Sequence, residues 1–222
     1  MADLLSLLVH EARTPLTALR GSLGLLASES ETASPAIREF SSISMRNVSR
    51  LVHLFDDLAA YIAFRDSACV VTPVPVDLSV ILEEAAERVQ PVAEERGVTV
   101  EAELAPFDAT ADETLLREAV ARMAFYAVRV TPRDGVVRIG AETVGGQVVV
   151  RVTDQGRPLT EEFHTNMFEP FSSVARRGVD SADRAGLDLA IAKAIADLHH
   201  GIIEYRQMTG GGVVRLTLGV RD

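Results

Sequence analysis

The chemically most distinctive residues of this sequence stand close to its start, where a histidine is followed by an acid and a hydroxyl. Glu11 directly follows His10, and Thr14 lies one helical turn further along. A neutral imidazole offers a nucleophilic ring nitrogen at cellular pH, and a neighbouring carboxylate can hold the other N–H and take up a proton. The hydroxyl of Thr14 can position a water molecule. These residue types at this spacing predict a histidine that takes up a phosphoryl group on nitrogen and can lose it again by hydrolysis.

The helix that must position His10 is marked by an apolar seam with the heptad spacing 4-3-4-3-4-3. The seam positions are Leu5, Val9, Ala12, Leu16, Leu19, Leu23 and Leu26. His10 is rotated by about 100° from its neighbour in the seam, so it lies on the solvent-facing flank of the helix. Pro15 stands just beyond it, although a proline costs about 3 kcal/mol inside an ordinary helix. A surface histidine without a role leaves the proline, the acid and the hydroxyl unexplained, so we favour a functional site.

A second helix follows a polar stretch and repeats the seam. Ser34 and Pro35 supply an N-cap and a first-turn proline. The seam positions after them are Ser44, Val48, Leu51, Phe55, Leu58 and Ile62. A two-helix hairpin has only half a core, so we expect two copies of the chain to close a four-helix bundle as a homodimer. The alternative is that the hairpin packs on the rest of its own chain.

The pattern changes after the segment VVTPVPVD, Val70 to Asp77, whose two prolines predict an extended linker or edge strand. Beyond it, helices are predicted at 78–96, 112–129 and 187–199, and strands at 98–103, 136–143, 147–153, 202–207 and 213–220. This order predicts an α+β sandwich with a mixed sheet and helices on one face. The predicted domains are therefore an all-α helical hairpin over 1–66, a linker over 67–76 and an α+β domain over 77–222.

Composition and charge exclude several classes of protein. The 222 residues carry 22 basic and 32 acidic side chains, a net charge of −10, which argues against binding to the phosphate backbone of nucleic acid. No stretch approaches the roughly 20 apolar residues of a membrane span, and no signal peptide opens the chain. Cys69 is the single cysteine, so no internal disulfide or thiolate metal cluster is expected. We expect a cytoplasmic protein with no bound metal and no membrane segment in this chain.

The run HEARTPLTAL, which begins at His10, resembles the H-box (H-E-x-R-T-P-L) of bacterial sensor histidine kinases. The resemblance covers residues 3–66 as the dimerisation and histidine-phosphotransfer (DHp) domain, and residues 76–222 as the catalytic ATP-binding domain of the Bergerat (GHKL) fold. It implies that His10 accepts the phosphoryl group and that Glu11 is the acid/base. It also implies that Thr14 supports phosphatase action on a partner response regulator, and it counts Arg13 among the catalytic-site residues.

The nucleotide-binding motifs of the second domain resemble those of the family unequally. The helix 118–132 resembles the N-box, but Arg122 and Tyr126 stand where the family has asparagines, the second of which coordinates Mg²⁺. The run 154–159 resembles the G1 box, with Pro158 in place of its second glycine. The run 168–171 resembles the F-box. The run 186–193 resembles the G2 box, with Asp188 in place of its second glycine.

These departures weaken the predicted nucleotide site. A phenol such as that of Tyr126 is a poor Mg²⁺ ligand, and the carboxylate of Asp188 repels a triphosphate at a helix N-terminus. The adenine-reading aspartate of the family is present as Asp154. The predicted site residues are thus Asp154, Gly156 and Gly186, and ATP is expected to bind weakly or not at all, with no cofactor required.

The function that follows from this pattern is that of a histidine phosphotransferase in a two-component phosphorelay. His10 would exchange a phosphoryl group with receiver aspartates of response regulators, which dock on the bundle near it. Only nine residues precede His10, so no upstream sensor is expected in this chain. The alternative is an active, Mg-ATP-dependent sensor histidine kinase core taken from a larger protein. A third possibility is a non-catalytic pseudokinase scaffold, and a chaperone-type GHKL ATPase is the least expected.

Other polar and glycine-rich positions are expected to be structural. His53 is predicted on the solvent-facing flank of the second helix, and the remaining histidines have no metal-ligand partners at helical spacing. Arg176 and Arg177 are expected to be exposed charges before the G2-like run. The run 210–212, three glycines between two strands, is expected to be a turn.

Overall fold

The computed structural model describes residues 12, 14–24, 35–65, 69–103, 108–145, 147–172 and 186–219. These residues form two compact units, which divide between Ala63 and Phe64 in the sequence. Within the described ranges, no helix combines the length and the apolar character that a membrane crossing requires.

The first unit is helical. Helix α1 is described over 14–24, and α2 runs from Pro35 to Arg65. The start of α2 at Pro35 confirms the predicted helix start, because a proline at the first helical position lacks only an N–H that would have no partner within the helix. One described seam residue of each helix is exposed in the single chain: Leu19 of α1 at 52% and Leu51 of α2 at 43%.

The second unit contains four helices and seven strands among the described residues. The helices are α3 (Leu78–Arg96), α4 (Glu113–Val130), α5 (Glu161–Asn166) and α6 (Asp188–Leu198). The strands are β1 (Val74–Asp77), β2 (Thr99–Ala102), β3 (Asp108–Ala111), β4 (Val136–Val144), β5 (Gln147–Asp154), β6 (Ile202–Met208) and β7 (Gly211–Thr217).

Five of these strands form one mixed sheet in the order β2-β4-β5-β7-β6. The pair β2–β4 is parallel, and the other three pairs are antiparallel. Strands β1 and β3 form a separate antiparallel pair. Helix α4 packs against α3, α6 and strands β4 and β5. The predicted fold class, a helical region followed by an α+β domain with a mixed sheet, is confirmed.

Helix α4 is the central element of the core. Its caps match its sequence, since the Asp112 side chain accepts the backbone N–H of Leu115 at the N-terminus. Twelve of its residues are buried, from Leu115 to Val128. Burial of nearly every face is typical of a helix enclosed by neighbours, so charged residues on α4 must find partners inside the domain.

Residues 74–76 of the predicted linker belong to β1, in agreement with the edge-strand alternative for this segment, and Pro75 lies in a two-stranded pair, where a missing N–H is tolerated. Three details differ from the sequence-based predictions. Strand β3, with the sequence DATA, has low β-propensity and was not predicted. The short helix α5 was not predicted either. Of the three glycines at 210–212, only Gly210 lies in the turn, and the other two begin β7.

The two glycines of β7 are required by close packing. A Cβ on Gly211 would overlap the backbone carbonyl of Asp154, and a Cβ on Gly212 would overlap the ring of Tyr205. Backbones that approach this closely leave no room for a side chain. The two glycines therefore allow the end of β5, with Asp154, and the ring of Tyr205 to approach the backbone of β7 closely.

Candidate functional site

The residues predicted to carry phosphoryl chemistry are only partly described. His10, Glu11 and Arg13 lie outside the described residues, as do Arg176 and Arg177. Thr14 is exposed on α1. His53 is exposed on α2, as predicted. The predicted nucleotide-binding motifs lie in the second unit, where most of their residues are described.

The predicted adenine aspartate stands at the end of β5. Asp154 is 4% exposed, and its Oδ1 accepts the backbone N–H of Gly156 at 2.8 Å. A Cβ on Gly156 would lie only 2.8 Å from that same Oδ1 and 3.2 Å from Val130. The tight turn therefore needs a glycine at position 156. Pro158, in place of the second glycine of the motif, is exposed two residues further on.

The Thr-Pro end of the N-box-like helix holds this turn in place. Thr131 caps the C-terminus of α4, and its hydroxyl accepts the backbone N–H of Gln155 at 3.1 Å. The side chain of Thr131 is buried. This bond fixes the loop after Asp154 to the end of α4 and brings the G1-like and N-box-like runs together.

The F-box-like and G2-like runs meet at one backbone hydrogen bond. The N–H of Phe171 donates to the carbonyl of Gly186 at 3.2 Å. Gly186 has φ 57°, in the left-handed region that favours glycine. Leu187 follows, is 1% exposed and stands at the N-cap of α6 without a side-chain cap. Asp188 is therefore the first residue of α6, where the helix dipole stabilises a carboxylate.

Asp188 is the centre of a buried charge cluster, which consists of Glu118, Arg122, Arg129 and Asp188. Its Oδ1 accepts from Nη1 of Arg122 at 3.1 Å, and its Oδ2 forms an ion pair with Nη2 of Arg129. Nε of Arg122 donates to Oε1 of Glu118 at 2.6 Å. The side chains of Arg122, Arg129 and Asp188 are 8%, 10% and 2% exposed. Two cations and two anions cancel, so the cluster carries no net charge.

This cluster corrects one prediction from the sequence. Asp188 was expected to act as a bare carboxylate that repels phosphate from the start of α6, whereas it is neutralised by two guanidiniums from α4. Arg122 and Asp188 were treated as two separate departures from the family pattern, and Arg129 and Glu118 were missed. The signal that could have found the cluster is the opposite charge of the two departures and the spacing of 118, 122 and 129 on one helical face.

Tyr126, at the position of the Mg²⁺-binding asparagine, is part of an aromatic group. Its ring is 6% exposed and meets Tyr205 of β6 edge-on, with ring centroids 6.4 Å apart and planes at 87°. The ring of His164 on α5 also contacts Tyr205, with ring centroids 5.9 Å apart. An aromatic ring held in this packing offers no carboxamide oxygen, and Mg²⁺ requires near-octahedral oxygen ligands.

Glu118 connects the cluster to α3. Its Oε2 accepts from Nη1 of Arg88 at 2.6 Å. Burial acts to raise the pKa of Glu118, but the charge of Arg122 and the hydrogen bonds from Arg122 and Arg88 outweigh it, so the pKa lies below its ordinary value of 4.5. Glu118 is therefore ionised at neutral pH and holds Arg122 in the direction of Asp188.

His199, at the end of α6, has structural partners. Nε2 of His199 accepts the backbone N–H of Asp112 at 3.0 Å, and its Nδ1 lies 2.9 Å from the carbonyl oxygen of Ile195. This links the end of α6 to the start of α4. Among the residues that the structure describes, no three His, Cys, Asp or Glu side chains form a group that could hold a metal ion.

Two family models match the chain. Residues 111–222 match the model described as histidine kinase-, DNA gyrase B-, and HSP90-like ATPase. Residues 1–61 match the His Kinase A (phospho-acceptor) domain. The chain belongs to the histidine kinases. The first of these models implies ATP binding, typically with Mg²⁺, whereas Tyr126 and the paired Asp188 do not fit a magnesium–triphosphate group.

Curated relatives of this histidine kinase chain are sensor and sporulation kinases. Sporulation kinase B of Bacillus subtilis is 25% identical over 210 residues, which cover 92% of this chain and 46% of the relative. Sensor histidine kinase TmoS of Ectopseudomonas mendocina is 26% identical, with coverages of 96% and 22%. The alginate biosynthesis sensor protein KinB of Pseudomonas aeruginosa is 28% identical, with coverages of 91% and 34%. The chain thus spans less than half the length of these relatives.

Solved structures share the fold of this chain. Full-length ShkA, crystallised in complex with AMPPNP, superposes with a TM-score of 0.77 at 26% identity, over 98% of this chain and 46% of that one. The histidine kinase AdeS of Acinetobacter baumannii has a TM-score of 0.67 over 96% of this chain and 98% of its own. At 19% identity, AdeS supports the fold alone.

We expect Asp188→Asn to lower the free energy of unfolding of the second unit by about 3 kcal/mol, because Arg122 and Arg129 lose the anion that compensates their buried charge. Asp197→Asn is the matched control on the same helix. Its carboxylate is 52% exposed in a surface pair with Lys193, so the change should cost less than about 1 kcal/mol. Urea unfolding measures both, and equal losses in the two variants would contradict a stabilising role for the cluster.

The ion pairs of Glu118 make part of the stability pH-dependent. Because its pKa is lower in the folded chain than in the unfolded one, its stabilisation is complete above pH 4.5 and is lost as the pH falls through the lowered value. Glu118→Gln should therefore be less stable than the parent at pH 7, and this difference should shrink below pH 4.5. Glu87→Gln, at an exposed position of α3, is the control. A Glu118→Gln difference that is constant across this pH range would refute the assignment.

Proposed function

We propose that this histidine kinase-family chain works as a histidine phosphotransferase in a two-component phosphorelay, with His10 as the phospho-acceptor. The observation that carries the proposal is the buried charge cluster in the second unit. Arg122, Tyr126 and Asp188 stand at motif positions that serve magnesium and phosphate in the family. Here Arg122 and Asp188 pair with each other, and Tyr126 packs edge-on against Tyr205 of β6. A phosphoryl source other than Mg-ATP then fits the intact H-box best.

The proposed transfer begins with a phosphorylated receiver docked near His10. A ring nitrogen of His10 attacks the phosphorus of the aspartyl phosphate, an N–P bond forms, the acyl P–O bond breaks, and the receiver aspartate leaves as a carboxylate. Glu11 holds the N–H of the other ring nitrogen and stabilises the positive charge that develops on the imidazole. A second receiver aspartate takes the group by the reverse steps. Arg13 belongs to the same H-box and is proposed as a further residue of the catalytic site.

Thr14 is proposed to support the hydrolytic branch. Thr14 is exposed on α1, where its hydroxyl can hold a water molecule against phosphorus. The remnant residues Asp154, Gly156 and Gly186 are proposed to serve the shape of the second domain rather than a cofactor. The domain boundaries 1–66, 67–76 and 77–222 and a cytoplasmic location are retained as parts of the proposal.

A homodimer through the hairpin is proposed from the exposure of its apolar residues. Besides the seam residues Leu19 and Leu51, Ile37 and Phe40 are 56% and 70% exposed in the single chain. Apolar side chains spaced along one helix hairpin are typical of a bundle that a second copy completes. The receiver is proposed to dock on this bundle near His10.

The second candidate is an ATP-dependent sensor histidine kinase core that forms part of a longer protein. The comparisons favour it over a pure phosphotransferase, because the family model 111–222 implies ATP binding and the relatives are named as sensor kinases. The related ShkA was crystallised with AMPPNP. In this candidate Mg-ATP phosphorylates His10, which requires the buried charge cluster to open.

The proposal predicts that His10 is labelled by a receiver and not by ATP. The chain is incubated with receiver domains that carry radioactive aspartyl phosphate, and separately with γ-labelled Mg-ATP. We expect acid-labile label only from the receiver, absent in His10→Ala and unchanged in His53→Ala, whose histidine is exposed on α2.

The other outcomes separate the candidates. Label on His10 from Mg-ATP contradicts the proposal and supports the sensor kinase. Label from neither source contradicts both candidates and leaves a scaffold that carries no phosphate.

A further inference from the structure

We propose that Asp188 is a tethered anion that occupies an oxyanion-binding position built by Arg122, Arg129 and the first turn of α6, and thereby keeps nucleotide phosphates out. This inference rests on the proposed function, since it names the residue that excludes Mg-ATP from the same site. It goes further in assigning a latent binding site for phosphate oxyanions that needs no metal.

The two arginines are arranged as an anion clamp. Arg122 and Arg129 are seven residues apart on α4, which is close to two helical turns, so their side chains leave the same face of the helix. Both converge on the two oxygens of one carboxylate. Guanidinium groups match carboxylate and phosphate oxygens equally well in geometry. The partner group that the clamp selects is therefore an oxyanion.

Charge also favours an oxyanion at this position. With Asp188 in place, its carboxylate already faces both guanidiniums, so another anion that entered would meet a negative charge. Without its carboxylate, Glu118, Arg122 and Arg129 leave one net positive charge at a position where helix α6 begins, and the N-terminus of a helix favours anions. A buried uncompensated charge is costly, so an oxyanion from solution would relieve that cost.

The tether explains why phosphate does not compete in the parent chain. Asp188 is joined covalently to the site and is 2% exposed, so it acts at a high effective concentration. A phosphate that displaced it would leave a second negative charge beside it. The carboxylate therefore excludes phosphate both by occupation and by repulsion.

The positive charge of the two arginines also makes a measurable difference from a magnesium site. Guanidinium groups carry their positive charge permanently, so oxyanion binding at the opened site is independent of Mg²⁺. An ordinary magnesium–nucleotide site loses its affinity for triphosphate when the metal is chelated.

The test measures binding of pyrophosphate and of ADP by calorimetry in the presence of EDTA. We expect no binding to the parent chain at 1 mM ligand, and at least tenfold tighter binding of both ligands to Asp188→Asn and Asp188→Gly, unchanged when Mg²⁺ replaces EDTA. Asp188→Glu, which keeps the carboxylate, should behave like the parent, and so should Asp197→Asn on the same helix. Arg129→Gln added to Asp188→Asn should remove the gained affinity.

Two results would overturn the inference. In the first, the parent, Asp188→Asn and Asp188→Gly all bind the ligands with equal affinity; in the second, the gained affinity requires Mg²⁺. If a variant is too unstable for calorimetry, pyrophosphate should raise its melting temperature by mass action, and the absence of that rise overturns the inference equally.

The failures of the two proposals are distinguishable. Label on His10 from a receiver together with no gained oxyanion affinity leaves the phosphotransferase and removes the clamp. Label on His10 from Mg-ATP in the parent chain removes both the phosphotransferase and the exclusion of nucleotide by Asp188, whatever affinity the Asp188 variants gain.

Discussion

The carboxylate of Asp188, held by two guanidiniums in the interior of the second unit, is the interaction on which the rest of that unit's site depends. It joins the first residue of α6 to the face of α4 that carries Arg122 and Arg129. Glu118 then joins the same network to α3 through Arg88. Three helices are thus coupled, α4 and α6 through charges that are nearly inaccessible to water and α3 through the half-exposed Arg88. Such charges are tolerated only when each has a partner, so α4, α6 and their connections are constrained together.

The same constraint accounts for the state of the nucleotide motifs. The residues that shape the backbone are kept: Gly156 fits the turn after Asp154, Gly186 adopts a left-handed conformation, and Thr131 ties the G1-like loop to α4. The residues that would meet a triphosphate and its metal are replaced by side chains that satisfy one another. The second unit thus retains the histidine kinase-type fold, while Arg122, Tyr126 and Asp188 occupy motif positions of the nucleotide site with side chains that have partners inside the domain.

Much of this could be predicted from the sequence, because it depends on local patterns. The start of α2 at Pro35, the helix α4 and the mixed sheet follow from periodicity and turn signals. The ion pair between Arg122 and Asp188 could not be predicted in the same way, because 66 positions separate the two residues and only the packed fold brings them together. Strand β3 was missed because its alanines and aspartate disfavour strands, and its partner β1 lies far away in sequence. The glycines of β7 acquire their meaning only from the Asp154 carbonyl and the Tyr205 ring opposite them.

The measurement that most directly tests whether the internal ion pair has taken the place of the nucleotide is a calorimetric titration of the unaltered chain with Mg-ATP. The exclusion of phosphates by Asp188 predicts no saturable heat at millimolar ATP, with or without Mg²⁺. Saturable binding of Mg-ATP that disappears when Mg²⁺ is chelated would contradict it, and would make the chain a working kinase core whose buried charge cluster opens to admit nucleotide.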